Sequence, residues 1–274
     1  MSELYNVSPS PHIRSKDTTG RIMLYVVLAL LPVSVVEIYQ FGERALVLIL
    51  VTIASCLVSE GLFETAFRKK NTLGDKSAVV TGLLLALNLP STLPYWKAVL
   101  GGVVAIVILK MLFGGLGKNL INPAAGALCA LLPLYASNLK SEPIGGASET
   151  AVLLGGLFLI LMGVIDLTIP VVYMITFILV LLLFGGQGLE MSYLAAEFQG
   201  TGLLLGMFFL ANDPVTSPNM PVGQILYGIC LGILTALIRL LGLDAGNVAL
   251  AIVLGNLMVP ILEKITFPRA FGKK

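Results

Sequence analysis

The stretch Thr81-Gly82-Leu83-Leu84-Leu85 returns as Thr201-Gly202-Leu203-Leu204-Leu205. Each copy runs into a proline-flanked turn of one pattern, Pro-x-Thr-x-Pro. The first is Pro90-Ser91-Thr92-Leu93-Pro94 and the second is Pro214-Val215-Thr216-Ser217-Pro218. A fainter echo pairs Asn122-Pro123-Ala124 with Asn247-Val248-Ala249. Leucine-rich segments resemble one another by chance, but five identities followed by a matching turn are hard to reach that way. The chain therefore reads as two related halves.

What surrounds the repeat sets the solvent. The chain has 274 residues, 57% apolar and only 12% charged. A soluble domain is about 25% charged on average, and this chain carries too few charges to cover a water-facing surface. Disorder is excluded by the same numbers, since it requires low hydrophobicity and high charge. Ten apolar segments are read at about 22–41, 45–65, 78–89, 95–114, 123–135, 150–164, 168–185, 201–211, 222–241 and 245–262. The expected fold is an all-α polytopic membrane protein of about ten transmembrane segments. The polar N-terminal stretch lacks a signal-peptide core, so the first span is expected to direct insertion.

Segments 78–89, 123–135 and 201–211 are too short to cross a hydrocarbon core of about 30 Å as straight helices. Each is flanked by Pro or by an Asn-containing turn. Broken helices survive in a membrane only where protein covers them or they line a cavity. Five spans per half give the halves opposite topology, an inverted repeat with its site where the broken helices meet. The expected organisation is an N-terminal segment 1–21, a first repeat 22–135, a loop 136–149, a second repeat 150–262 and a basic tail 263–274.

An even span count places both termini on one side. That side then holds Arg14, Lys16, Arg21, Arg68, Lys69, Lys70, Lys76, Lys110, Lys118, Lys264, Arg269, Lys273 and Lys274. Arg44, Lys97, Lys140 and Arg239 fall opposite. The positive-inside rule puts both ends in the cytoplasm. Lys110 is assigned to a loop near a span end. A net charge of +2 gives no reason to expect nucleic acid as a partner. Cys56, Cys129 and Cys230 each stand alone in an apolar run and read as packing residues rather than metal ligands.

Acids inside apolar spans are costly and usually functional. Glu60 and Glu64 share one face of the second span. Glu60, the deeper, is a candidate for an ion path, while Glu64 can reach the interface beside Arg68. Glu37 lies near the far end of the first span. Asp213 follows a half-length helix in Leu210-Ala211-Asn212-Asp213-Pro214 and is read as part of a polar pocket and of the ion path. Asn119, Asn122 and Thr216 are candidate pocket residues. The glycine-rich run Phe113 to Pro123 leads into a short helix whose exposed N–H groups could favour an anion. His12, the single histidine, cannot hold a metal alone.

Four segments together resemble one known family: Val7-Ser8-Pro9-Ser10-Pro11-His12-Ile13-Arg14, Val80 through Leu87, Phe113 through Ala124, and Asp213 through Pro218. They look like the D subunit of the Rnf complex and the related B subunit of the sodium-pumping NADH:quinone reductase. The resemblance implies a membrane subunit of a ferredoxin:NAD oxidoreductase, an electron-transport translocase that moves Na⁺ or H⁺. It implies other subunits of that complex as partners, a prokaryotic cell membrane as location, and a flavin as cofactor. The subunit itself shows no self-contained active site. Family members typically attach FMN to the Thr of a Ser-Gly-Ala-Thr-like motif between the fifth and sixth spans. Residues 136–149 contain no such motif, so the attachment loop reads as shortened away. Thr150 is the one threonine nearby. It is a candidate attachment site, against a helix N-terminal role beside Glu149. Two other functions stay open on the residues: a channel or carrier for a small solute, and a flavin-less scaffold subunit of the same complex.

Overall fold

The computed structural model describes residues 18–69, 71–135, 149–186, 191–198, 202–242 and 247–267. His12, the rest of the N-terminal segment, loop residues 136–148 and the tail from residue 268 lie outside them.

The described residues form helices and contain no strand. In order they are α1 (Thr19–Phe41), α2 (Glu43–Ala66), α3 (Ser77–Leu87), α4 (Tyr95–Val103), α5 (Pro123–Tyr135), α6 (Glu149–Leu161), α7 (Thr168–Phe184), α8 (Met191–Phe198), α9 (Leu203–Leu205), α10 (Pro221–Leu240) and α11 (Asn247–Thr266). A short 3₁₀ turn, Leu73–Asp75, precedes α3. Two helices change pitch: α4 continues as a π-helix over Val104–Met111, and α9 over Gly206–Leu210. Every apolar segment read from the sequence is helical. The last helix extends to Thr266, beyond the expected tail boundary at 263. The amphipathic α8 was not anticipated.

Helices α1, α2, α10 and α11 are long and apolar enough to cross a membrane, while α3, α5, α6 and α7 are shorter. The outward surface fits hydrocarbon. Leu24, Leu28, Leu31 and Val35 lie exposed along one stripe of α1, as do Val171, Ile175, Leu179 and Leu183 along α7. Spacings of three and four keep each set on one face. Polar groups turn inward instead, among them Ser34, Thr52, Glu60, Lys110, Asn122 and Asn256. The Ser34 and Thr52 hydroxyls donate to the carbonyls of Leu30 and Leu48, which satisfies them within their own helices.

Lipid is as apolar as leucine, so these helices associate by close packing rather than by expelling water. Small residues make that possible. A Cβ on Gly82 of α3 would stand 2.8 Å from the Ile53 Cα of α2. On α10, Gly228 and Gly232 sit four apart against α7, and a Cβ on Gly232 would meet the Thr176 Cβ at 2.6 Å. The three cysteines are free. Cys56 is buried, while Cys129 and Cys230 are half-buried.

The halves correspond, though not in the register of the shared pentapeptide. Asn88 and Asn212 stand at the same spacing as Pro90 and Pro214, and as Pro123 and Asn247, which open α5 and α11. Both asparagines close a half-helix: Asn88 Nδ2 donates to the Leu84 carbonyl and Asn212 Nδ2 to that of Met207, each at 2.8 Å. The helices they close both start from a left-handed residue, Lys76 (φ 64°) and Gly202 (φ 67°). The Thr-Gly-Leu-Leu-Leu copies are about one helical turn off this spacing. Gly82 lies inside α3, whereas Gly202 caps α9. Helix α1 packs on α6 and α5 on α11.

Candidate functional site: a polar cavity at the helix breaks

The run between α4 and α5 needs glycine. Gly114, Gly115 and Gly117 have φ of 113°, 95° and 87°, a region side chains avoid. The chain thus turns tightly and delivers Asn119 and Asn122 to the start of α5. Asn122 Oδ1 accepts from the N–H groups of Ala124 and Ala125 at 3.0 and 3.2 Å. The helix start is therefore capped by its own asparagine, which corrects the expectation that it offers open N–H groups to an anion.

Asn122 also ties the halves together. Its N–H donates to Asn256 Oδ1 of α11 at 3.0 Å, and its Nδ2 to the Leu210 carbonyl at 3.3 Å and Asp213 Oδ2 at 3.4 Å. Asp213 Oδ2 further accepts from Thr216 Oγ1 at 3.1 Å, and Oδ1 from the Val215 N–H at 3.3 Å. Asn256 Nδ2 donates to the Thr216 carbonyl at 3.1 Å and to the Tyr227 hydroxyl at 2.8 Å. Buried polar groups of this kind hold one geometry only when each finds partners.

A second centre lies on α2. Glu60 is fully buried, and Lys110 Nζ, from the π-helical continuation of α4, meets its Oε1 at 2.7 Å. Lys110 also donates to Ser77 Oγ at 2.6 Å. Lys110 is thus no loop residue and does not reach an interface; its side chain is 2% exposed. The Glu60 carboxylate binds it across the helix packing. Glu64 is buried as well and accepts from the N–H and hydroxyl of Thr72, rather than extending to the surface. Arg239, expected among the loop charges, is likewise buried at the end of α10 and pairs with Glu197 of α8 at 2.7 Å. Setting both aside leaves the charge asymmetry in place.

Between the centres lies a cavity of about 670 Å³, counted with its open mouth. Ser77, Thr81, Lys110, Asn119, Asn122, Asn212 and Asp213 supply its polar wall, and Met23, Val26, Leu84, Phe208 and Phe209 an apolar one. A mostly apolar lining with a few convergent polar groups is the usual make-up of a ligand site. Asn119 Nδ2 donates to the Ile121 carbonyl at 3.2 Å, which fixes the amide, and its buried Oδ1 has no hydrogen-bond partner.

The structure therefore brings Asn119, Asn122 and Asp213 to one cavity, with Thr216 supporting Asp213 from outside the lining. Glu60 stands one residue back, behind Lys110. Thr150 lies elsewhere, exposed in the first turn of α6 beside Glu149. Lys110, Thr72, Asn256 and Tyr227 were missed. The signal for two of them was present: Lys110 and Asn256 are polar residues in apolar runs, which is the criterion that singled out the acids. No cluster of metal-ligating side chains occurs among the described residues.

The model of the NQR2, RnfD, RnfE family matches residues 6–142 and 138–272. The chain belongs to that family. Among its relatives, the D subunit of the Na⁺-translocating ferredoxin:NAD⁺ oxidoreductase complex of Acetobacterium woodii is 36% identical, covering 99% of this chain and 97% of that protein. The proton-translocating counterpart of Clostridium ljungdahlii is 32% identical, with the same coverage. The D subunit of the ion-translocating oxidoreductase complex of Methanosarcina acetivorans is 35% identical over 98% of this chain and 97% of its own. Family membership makes the polar cavity part of a redox complex. Thr150 is exposed and is not part of the cavity lining. The cavity carries an unpartnered amide oxygen, Asn119 Oδ1, on its wall.

Proposed function

We propose that this chain is the D-type subunit of an Rnf-type ferredoxin:NAD oxidoreductase in a prokaryotic cell membrane, with both termini cytoplasmic and two inverted five-span repeats. The observation that carries the reading is the near end-to-end likeness to proteins named as the D subunits of such complexes, joined to a polar cavity at the meeting of the broken helices. The cation is Na⁺ in one relative's name and a proton in another's. The site is accordingly read as one for a monovalent cation.

In this reading the cavity would hold a flavin without a covalent bond, and the flavin would supply one- and two-electron chemistry. Asn119 offers its free amide oxygen to a ligand N–H. Asn122 holds the start of α5 rigid against α11, and Phe208 and Phe209 wall the apolar body. Asp213 and Glu60 address the same region from opposite halves and form the ion path. Coupling then requires that the charge in the cavity change cation affinity, a free-energy linkage between two sites.

The test is where flavin goes on denaturation of the purified complex. A denaturing gel should show no fluorescent band at this chain's mass, and free flavin should appear in the supernatant. Asn119→Leu should lower that flavin content, while Thr150→Ala should leave it unchanged. A fluorescent band that disappears in Thr150→Ala would restore the covalent assignment.

A further inference from the structure

Two carboxylates share one hydroxyl beside the cavity. Thr72 Oγ1 lies 2.8 Å from Glu60 Oε1 and 2.5 Å from Glu64 Oε1. A hydroxyl has one proton to donate, so it can satisfy only one of them. Glu60 Oε1 is also taken by Lys110, whereas Glu60 Oε2 is buried with no hydrogen-bond partner. Lys69, close in sequence, directs its ammonium at the Met111 carbonyl (3.3 Å) and the Phe63 ring. Two carboxylates thus meet at one hydroxyl, and one ammonium, that of Lys110, is bonded to the pair.

The cation bonded to Glu60 is unusually placed. Lys110 projects from a π-helical stretch, and such distortions concentrate at functional sites. Its ammonium bridges Glu60 and Ser77, and both Lys110 and Ser77 line the cavity. A buried pair serving stability alone is often replaceable by apolar residues without loss. This pair instead leaves half a carboxylate open and turns its cation toward a cavity.

We propose that Glu60, Glu64 and Thr72 form a site for one monovalent cation, and that Lys110 is a tethered competitor for Glu60. Filling the site releases the ammonium toward the cavity, where a more negative occupant would hold it. Lys110 acts here as a positioning residue, and the inference rests on the pump reading above.

The experiment uses the whole complex in inverted membrane vesicles, driven by reduced ferredoxin and NAD⁺. Uptake is followed as radioactive Na⁺ and, in separate samples, as acidification with and without a protonophore, which tells a metal cation from a proton. Lys110→Gln should lower the half-saturating cation concentration severalfold. Should that variant fail to assemble, the neutral pair Glu60→Gln/Lys110→Gln decides: it should assemble, as judged by gel filtration, and lose cation uptake. An unchanged half-saturating concentration in Lys110→Gln, or wild-type uptake by the neutral pair, overturns the proposal. A wild-type complex that transfers electrons without moving any cation counts against the pump reading instead.

Discussion

Asp213 is the residue whose chemistry is easiest to separate from its fold. Its carboxylate accepts from Thr216, Val215 and Asn122, and asparagine preserves its shape without its charge. Asp213→Asn should leave the complex assembled, as judged by its elution on gel filtration, and lower cation uptake per electron transferred severalfold. Undiminished uptake would remove Asp213 from the path. Asn256 tests architecture instead. Asn256→Leu strips partners from the Asn122 N–H, the Thr216 carbonyl and the Tyr227 hydroxyl. A buried group left unsatisfied costs about 1–3 kcal/mol, so the midpoint of thermal unfolding in detergent should fall clearly. At this scale the sequence showed the acids, because a carboxylate in an apolar run is conspicuous. Lys110 was as conspicuous by that criterion, but its place near a span end looked interfacial, and its pairing with Glu60 across fifty positions of chain was not legible.

At the scale of elements, α10 and α7 form an extensive contact, and two glycines allow it. Gly232→Leu would drive a side chain into Thr176 and the Phe177 N–H. Overpacking of this kind costs about 1–3 kcal/mol. The variant should lose stability and yield of folded complex, whereas Gly74→Ala, in open space, should lose neither. The helices themselves were legible, since apolar length and the Pro and Asn stops mark both ends. Two features were not. The π-helical stretches Val104–Met111 and Gly206–Leu210 have no composition of their own, and their pitch is set by what packs around them. Helix α8 is eight residues long, too short for a periodic signal, and Arg239 of α10 binds Glu197 at its end. The repeated pentapeptide lies about one helical turn off the spacing of the helix breaks. The true correspondence runs through Asn88 and Asn212, whose side chains close their helices.

For the whole molecule, composition settled the solvent before any contact was known, and the fold agrees: leucines outside, carboxylates and amides inside. The cavity at the helix breaks gathers the polar groups that the outer surface lacks. Conversion of electron transfer into cation movement should then depend on this chain. The most direct measurement is cation uptake by inverted vesicles from cells lacking this chain, compared with the same cells given it back, with ferredoxin:NAD electron transfer as the driving reaction. Uptake should be absent without the chain and return with it. Equal uptake in both would contradict the account.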